Sequence, residues 1–302
     1  MMDYQQLIKE TALADDRYIV MTAENRAVIR ELPPLLGGRF IDTGITEQCM
    51  IGTAAGLALR GRIPICHALT TFLILRAYEF IRTDVGIANL PVKLSGFIPG
   101  VLSDGNGPTH QALEDISLMR GVPHMEVFAP ADHQDMVEML PHVWSSSAPS
   151  YVRLNTRFTD YKHEPFTPGK AEVIGLGTDV TLLVYGFLFE QALIAKQLLE
   201  GHGLSVGMIN LRTLKPLDET AVLDALNDST LTVTIEDHFQ TGGLYSIVAE
   251  VLLRHQRSAN VLPIAFNERW FRPALLDEVL SYEQMTGEAI CQRTLDHLEK
   301  TK

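Results

Sequence analysis

The chain has 302 residues, of which 46% are hydrophobic and 21% charged. That length is a soft prior for about two domains, and the apolar share suffices for two sizeable cores. Its 25 Lys and Arg stand against 37 Asp and Glu, a net charge of −12. This argues against a broad nucleic-acid surface and against binding to an anionic membrane, while leaving room for a local basic pocket.

In chain order, residues 1–10 are polar and lack the apolar stretch of a signal peptide. Apolar, β-rich runs predict strands at 18–21, 63–68, 92–95, 125–128 and 151–154, and helical stretches fall between them at 47–60, 71–85, 111–120 and 132–143. Such alternation predicts a parallel sheet covered by helices and joined by right-handed crossovers. Residues 161–179 break the pattern with Pro165, Pro168, Gly169, Gly175 and Gly177, the composition of an interdomain linker. The alternation then restarts, with strands at 180–185, 205–209, 231–235 and 261–265 and helices at 188–200, 221–226, 244–255 and 282–299. The expected fold class is α/β, with two domains that are each a mainly parallel β-sheet flanked by helices. Their expected bounds are 1–165 and 180–302, joined by a linker at 166–179. No apolar run approaches the roughly 18 residues that would span a bilayer. Cys49, Cys66 and Cys291 form no C-x-x-C pair, so no zinc or redox motif is suggested and a reducing compartment fits. The expectation is a soluble, cytoplasmic protein.

In open α/β sheets, ligands bind beyond the carboxyl ends of strands, and three segments take such positions. In Asp42-Thr-Gly-Ile-Thr-Glu-Gln-Cys-Met50, Glu47 falls where a helix should begin. It is either a carboxylate that stabilises a helix N-terminus, with Thr46 as a cap, or a functional group. In Ser103-Asp-Gly-Asn-Gly-Pro-Thr-His110, two glycines and a proline make a tight loop that aims Thr109 and His110 outward. That loop is either a plain turn or a functional segment positioned by a rigid scaffold. Asp132, closing Phe128-Ala-Pro-Ala-Asp132, is expected to be an N-cap.

The string Thr43-Gly-Ile-Thr-Glu-Gln48 resembles the motif around the catalytic glutamate of transketolases and 1-deoxyxylulose-5-phosphate synthases. Gly107-Pro-Thr-His-Gln-Ala-Leu-Glu-Asp115 resembles their substrate loop, and Arg76-Ala-Tyr-Glu-Phe-Ile-Arg82 the helix after their pyrimidine-stacking segment. Ile235-Glu-Asp-His-Phe-Gln-Thr-Gly-Gly243 is similar to a segment of their C-terminal domain. The four strings stand in family order and at family spacing over nearly the whole chain. Full-length members begin with a further domain whose Gly-Asp-Gly segment and later Asn hold Mg²⁺ and the diphosphate of thiamine diphosphate. No Gly-Asp-Gly occurs here. The chain therefore resembles the C-terminal, small subunit of a split transketolase.

That resemblance implies thiamine diphosphate as cofactor, with Mg²⁺ held mainly by a partner subunit, the N-terminal half, that carries the diphosphate-binding domain. It implies self-association and an α₂β₂ assembly, a small sugar substrate, and no nucleic-acid or membrane partner. The activity implied is transfer of a two-carbon ketol unit from a ketose, phosphorylated or otherwise anionic, to an aldose. Glu47 would hydrogen-bond N1′ of the aminopyrimidine. Phe72 would supply its flat apolar partner, with Tyr78 as the fallback aromatic or a helix-packing residue. The spacing from Phe72 to Arg76 is one residue longer than in the synthases. His110 matches the histidine that contacts the bound sugar. Asp104 or Asn106 would stand for the acidic residue before Gly-Pro-Thr-His, His67 would line the site, and Arg157 is placed like an arginine that grips the substrate phosphate. No metal ligand is expected on this chain. Where the family has a histidine near the end of strand 92–95, this sequence has Phe97, so either the substrate is not the usual sugar phosphate or other residues hold its anion. Other readings of the same resemblance are a decarboxylating ligase, a β-type subunit of a 2-oxoacid dehydrogenase, or a non-catalytic scaffold.

Overall fold

The computed structural model describes residues 3–270 and 272–300, apart from the side chain of Asp104. Its strands are β1 (Tyr18–Thr22), β2 (Phe40–Asp42), β3 (Ile63–Leu69), β4 (Lys93–Phe97), β5 (Glu126–Phe128), β6 (Ser150–Leu154), β7 (Glu172–Val173), β8 (Val180–Val184), β9 (Val206–Asn210), β10 (Thr213–Lys215), β11 (Leu231–Phe239) and β12 (Val261–Phe266). Its α-helices are α1 (Tyr4–Ala14), α2 (Leu32–Leu36), α3 (Glu47–Leu59), α4 (Tyr78–Phe80), α5 (Asp115–Gly121), α6 (His133–Ser145), α7 (Phe189–Gly201), α8 (Glu219–Asp228), α9 (Leu244–Arg254), α10 (Leu276–Tyr282) and α11 (Gly287–Lys300). One sheet has seven strands in the order β10-β5-β6-β4-β3-β1-β2, and the other has five in the order β12-β11-β8-β9-β7. Every pairing is parallel except β10 on β5 and β7 on β9, both at sheet edges. The inner strands β1, β6, β8 and β9 are buried along their whole length. A strand covered on both faces needs apolar residues at successive positions, which is why these runs do not alternate with polar ones.

The structure departs from the sequence expectations in several places. The polar N-terminal stretch is helix α1: Tyr4, Leu7, Ile8 and Ala12 fall on one buried face, and Asp3 accepts a hydrogen bond from the Gln6 amide at 2.7 Å as its cap. The helix expected at 71–85 is broken into two π-helical turns, Phe72–Arg76 and Ile81–Gly86, around the single turn α4. The helix expected from 111 begins at Asp115, because Ala112 bridges backbone to Gly100 instead. The helix expected from 282 begins at Gly287 as α11, and a separate helix, α10, precedes it. The segment expected as a free linker carries β7, which pairs with β9, and the buried Phe166.

The two halves are also less separate than the composition suggests. Strand β10 comes from the second half of the chain and closes the edge of the first sheet. One apolar core joins Met50, Leu73 and Leu94 to Leu183, Val222 and Ile247. Two buried ionic clusters cross the same junction. In the first, Arg153 on β6 meets Asp115 at 2.9 Å and Asp237 on β11 at 2.5 Å, all three within a few per cent of full burial. In the second, Arg212 pairs with Asp135 at 3.0 Å and Glu172 at 2.9 Å, and His163 lies 2.8 Å from Glu172 and 3.4 Å from Asp132. Asp132 also caps α6 by accepting from the Asp135 amide.

Burial alone would lower the pKa of His163, but hydrogen bonding to Asp132 and Glu172 outweighs it and raises the group to about 9. A histidine with a raised folded-state pKa contributes stability that is complete below its unfolded value of about 6.5 and lost as pH rises through the folded one. The urea midpoint should therefore fall between pH 6.5 and 9. In His163→Gln that decline should flatten, and a decline of equal slope in the variant would remove His163 as its cause.

Candidate active site

Glu47 opens α3 directly beyond the carboxyl end of β2. The loop between them is fixed from several sides. The Thr43 amide donates to the Thr22 carbonyl at 3.0 Å, and the Thr46 hydroxyl donates to the Thr43 carbonyl at 2.8 Å. Asp42 accepts from the amides of Gly44 and Glu24 and pairs with Arg26. Burial works against the Asp42 carboxylate, but Arg26 and the two amides outweigh it and hold its pKa below the usual range. Thr46 sits at the cap position of α3 without capping it through its side chain.

The Glu47 carboxyl is 2% exposed, and its Oε2 accepts from Arg76 Nη1 at 2.8 Å. Its Oε1 has no hydrogen-bond partner among the described residues, and the residue lines a cleft of about 480 Å³ together with Asn25, Arg26, Arg30, Ile45 and Phe72. Arg76 in turn lies over the Phe72 ring, with its guanidinium carbon 4.4 Å from the centroid. The Phe72 ring meets His110 edge-on at 5.0 Å. Glu47, Arg76, Phe72 and His110 thus form one contiguous row. Phe72 and Arg76 are the two ends of one π-helical turn. π-turns arise as local one-residue bulges in α-helices and are frequent at functional sites.

His110 is half-buried, and its Nδ1 lies 2.9 Å from the Thr109 hydroxyl. The loop that carries it is anchored to the second half of the chain. Gly107 has φ +72°, and a Cβ there would sit 2.5 Å from Pro273. Gly100, at φ +58°, lies against Asp237 so closely that a Cβ would come within 1.7 Å of its carboxylate. Both positions need glycine for conformation and for space. The Phe239 amide donates to the Leu113 carbonyl at 3.0 Å. Between these anchors Gln111 is 1% exposed with neither amide atom hydrogen-bonded.

The structure brings Glu47, Phe72 and His110 together and leaves the other expected residues apart. Tyr78 is half-buried and donates to the Leu118 carbonyl at 3.4 Å, packed against the first core away from the cleft lining. It is a packing residue. His67 is fully buried, 5.7 Å from Tyr4 and 5.7 Å from Phe97, with neither ring nitrogen hydrogen-bonded. Burial lowers its pKa to about 3, so it is a neutral core histidine without access to a substrate. Asn106 is exposed and donates to the Ser103 hydroxyl at 3.3 Å. The Asp104 side chain lies outside the described residues. Arg157 is exposed and faces Glu190 at 3.8 Å, so its charge is directed to α7 and not to the cleft. Arg76 and Arg30 were not expected as site residues. The signal for Arg76 was its place within the quoted helix motif, whereas nothing in the composition around Arg30 marked it.

Residues 5–159 match the family model of the transketolase pyrimidine binding domain, and residues 169–290 match that of the transketolase C-terminal domain. A 6-deoxy-6-sulfo-D-fructose transketolase subunit of Clostridium sp. (strain MSTE9) is 37% identical over 82% of this chain and 79% of its own length. A putative transketolase C-terminal section of Methanocaldococcus jannaschii is 34% identical over 87% of this chain and 84% of its own length. Among solved structures, a split-gene transketolase described as an inactive β4 tetramer superposes with a TM-score of 0.88 at 29% identity, covering 98% of this chain and 97% of that one. With the pyrimidine-binding and C-terminal family models matched over most of its length, and Glu47 joined through Arg76 to Phe72 and His110, the chain belongs to the transketolase family.

Proposed function

We propose that this chain is the small subunit of a thiamine-diphosphate-dependent transketolase that moves a two-carbon ketol unit from a ketose to an aldose. The observation that carries this is the buried Glu47 carboxyl, one oxygen held by Arg76 and the other unpartnered at a cleft floored by Phe72. A dehydrated acceptor beside an aromatic face is what an aminopyrimidine ring requires. Glu47 would hold a proton between its Oε1 and the ring nitrogen N1′, and Phe72 would cover the ring. When bound, the cofactor supplies the carbon nucleophile and the electron sink for the ketol carbon–carbon bond.

His110 touches Phe72 edge-on from the loop and would hydrogen-bond sugar hydroxyls. Arg76 positions both Glu47 and Phe72. Among the described residues no group of three or more His, Cys, Asp or Glu could hold a metal ion. Mg²⁺ and the diphosphate would be held by a partner subunit, the N-terminal half of the enzyme. The chain would self-associate and assemble with that partner as α₂β₂. The split-gene relative described as an inactive β4 tetramer supports self-association and a need for a second gene product. No helix among the described residues is long and apolar enough to cross a membrane.

Glu47→Gln should lower ketol transfer by the reconstituted complex by about 10²–10⁴-fold, together with deuterium exchange at the cofactor's thiazolium C2, which needs no sugar. Near-normal exchange in the variant would refute the assignment. The Arg76 contact has its own test in the isolated chain. A double-mutant cycle of Glu47→Gln and Arg76→Met, followed by urea unfolding, should give a coupling of about 0.5–3 kcal/mol. Strict additivity would mean that Arg76 does not hold Glu47.

A further inference from the structure

A groove of about 980 Å³ lies wholly in the second half of the chain, between α10 and the segment that leads into it from β12. It sits beyond the carboxyl edge of the second sheet. The leading segment is tied to the far end of α10. Arg269 pairs with Glu283 at 2.6 Å, and the Tyr282 hydroxyl donates to the Arg272 carbonyl at 2.8 Å. The groove is therefore a formed feature of the fold and not a gap beside a loose loop.

Its rim is apolar and faces water. Trp270 is 61% exposed and meets Phe239 edge-on at 5.5 Å. Leu275, at the cap of α10, is 64% exposed, and Tyr282, which ends that helix, is exposed as well. Exposed apolar patches rimmed by polar groups mark interaction sites, and tryptophan, tyrosine and arginine are the residue types that carry most of the binding energy at protein interfaces. The charges do not select a small ion, because Arg269 and Arg272 stand against Asp277 and Glu278. The same wall backs the loop that carries His110. Pro273 lies where a Cβ on Gly107 would come within 2.5 Å of it, and α10 packs on the turn Asp104–Asn106. From Gly107 to His110 the chain spans at most roughly 11 Å.

We propose that this groove is a docking surface for the diphosphate-binding subunit, which grips the second half of the chain as it closes the cofactor cleft. The inference rests on the two-subunit reading above and specifies where the partner is held. A subunit that presents a diphosphate to the cleft of Glu47 and His110 comes within one short loop of Pro273, and the groove continues that contact surface onto the second half. A second copy of this chain carries no Gly-Asp-Gly segment and has no such reason to lie against the His110 loop. Burial of Trp270 and Leu275 supplies an anchor away from the cofactor. Through Pro273 the same contact reaches the loop of His110, so assembly sets that loop as the cleft closes.

The experiment uses the full chain labelled with 5-fluorotryptophan, which gives one fluorine resonance for Trp270 and one for the fully buried Trp144. Addition of the unlabelled diphosphate-binding subunit should move the Trp270 line and remove its H₂O–D₂O isotope shift, with the Trp144 line left in place. Leu275→Asp should raise the dissociation constant for that subunit by about tenfold or more, without lowering the urea midpoint of the chain or its self-association. An assembled, active complex in which Trp270 keeps its isotope shift would overturn the docking surface, and so would wild-type affinity in Leu275→Asp. A Trp270 already shielded in the chain alone would overturn it too, and would assign the groove to a second copy. Sedimentation separates the two levels. If no complex forms with the diphosphate-binding subunit, the two-subunit reading itself has failed, whereas assembly without burial of Trp270 leaves that reading intact and removes only the groove.

Discussion

A carboxyl group removed from water must find partners or lose its charge, and at Glu47 the protein has met that demand only halfway. Arg76 satisfies one oxygen at 2.8 Å and leaves the other open to the cleft. Breaking a buried pair by removing one partner is costly, because the remaining charge is stranded. The half-finished arrangement persists because everything around it is over-determined. Asp42 gathers two amides and Arg26 to fix the loop before α3, and the π-helical turn presents Arg76 and Phe72 together. The unpaired acceptor is therefore a property of a rigid frame and not of a loose side chain.

The second half of the chain does not line the cleft at Glu47, yet it controls how the cleft is completed. The loop that carries His110 is gripped at Gly100 by Asp237 and at Gly107 by Pro273, while Arg153 ties Asp115, the first residue of the following helix, to the same Asp237. Burial raises the Asp237 pKa, and the Arg153 guanidinium beside it opposes that shift. Loss of Arg153 would strand two buried carboxylates at once and free both ends of the loop. The junction thus couples the position of His110 to the docking of the two sheets, a reason for one chain to carry both.

The parallel sheets were legible because their inner strands are continuous apolar runs, which only a doubly covered strand needs. Glu47, Phe72 and His110 were legible through ordered motifs. What failed has physical causes. α1 was hidden because a short amphipathic helix with four buried positions looks polar in composition. The edge strands β2, β7 and β10 are two or three residues long, too short for any periodicity to register. His67 was assigned by its place along the chain and Arg157 by resemblance to a phosphate-gripping arginine, but strand alternation turned His67 toward Tyr4 and Phe97 and Arg157 faces Glu190. Which face a strand residue takes, and which of two neighbours a long side chain prefers, are decided by partners distant in sequence.

The Phe72–Arg76 segment shows how a π-helical turn can hold side chains at a cleft. An added residue in a regular α-helix would rotate every later side chain by about 100°, which would carry Arg76 off the Glu47 face and Tyr78 off its contact with Leu118. Confining the extra residue to a widened turn leaves the helix beyond it in register. The cost is one irregular stretch of backbone hydrogen bonding, placed where Leu73 and Ile74 are fully buried and hold the turn from below. A second such turn at Ile81–Gly86 follows the single α-turn at Tyr78–Phe80, again over buried residues, Ile81 and Val85. Packing rather than helical periodicity therefore sets the register of this segment.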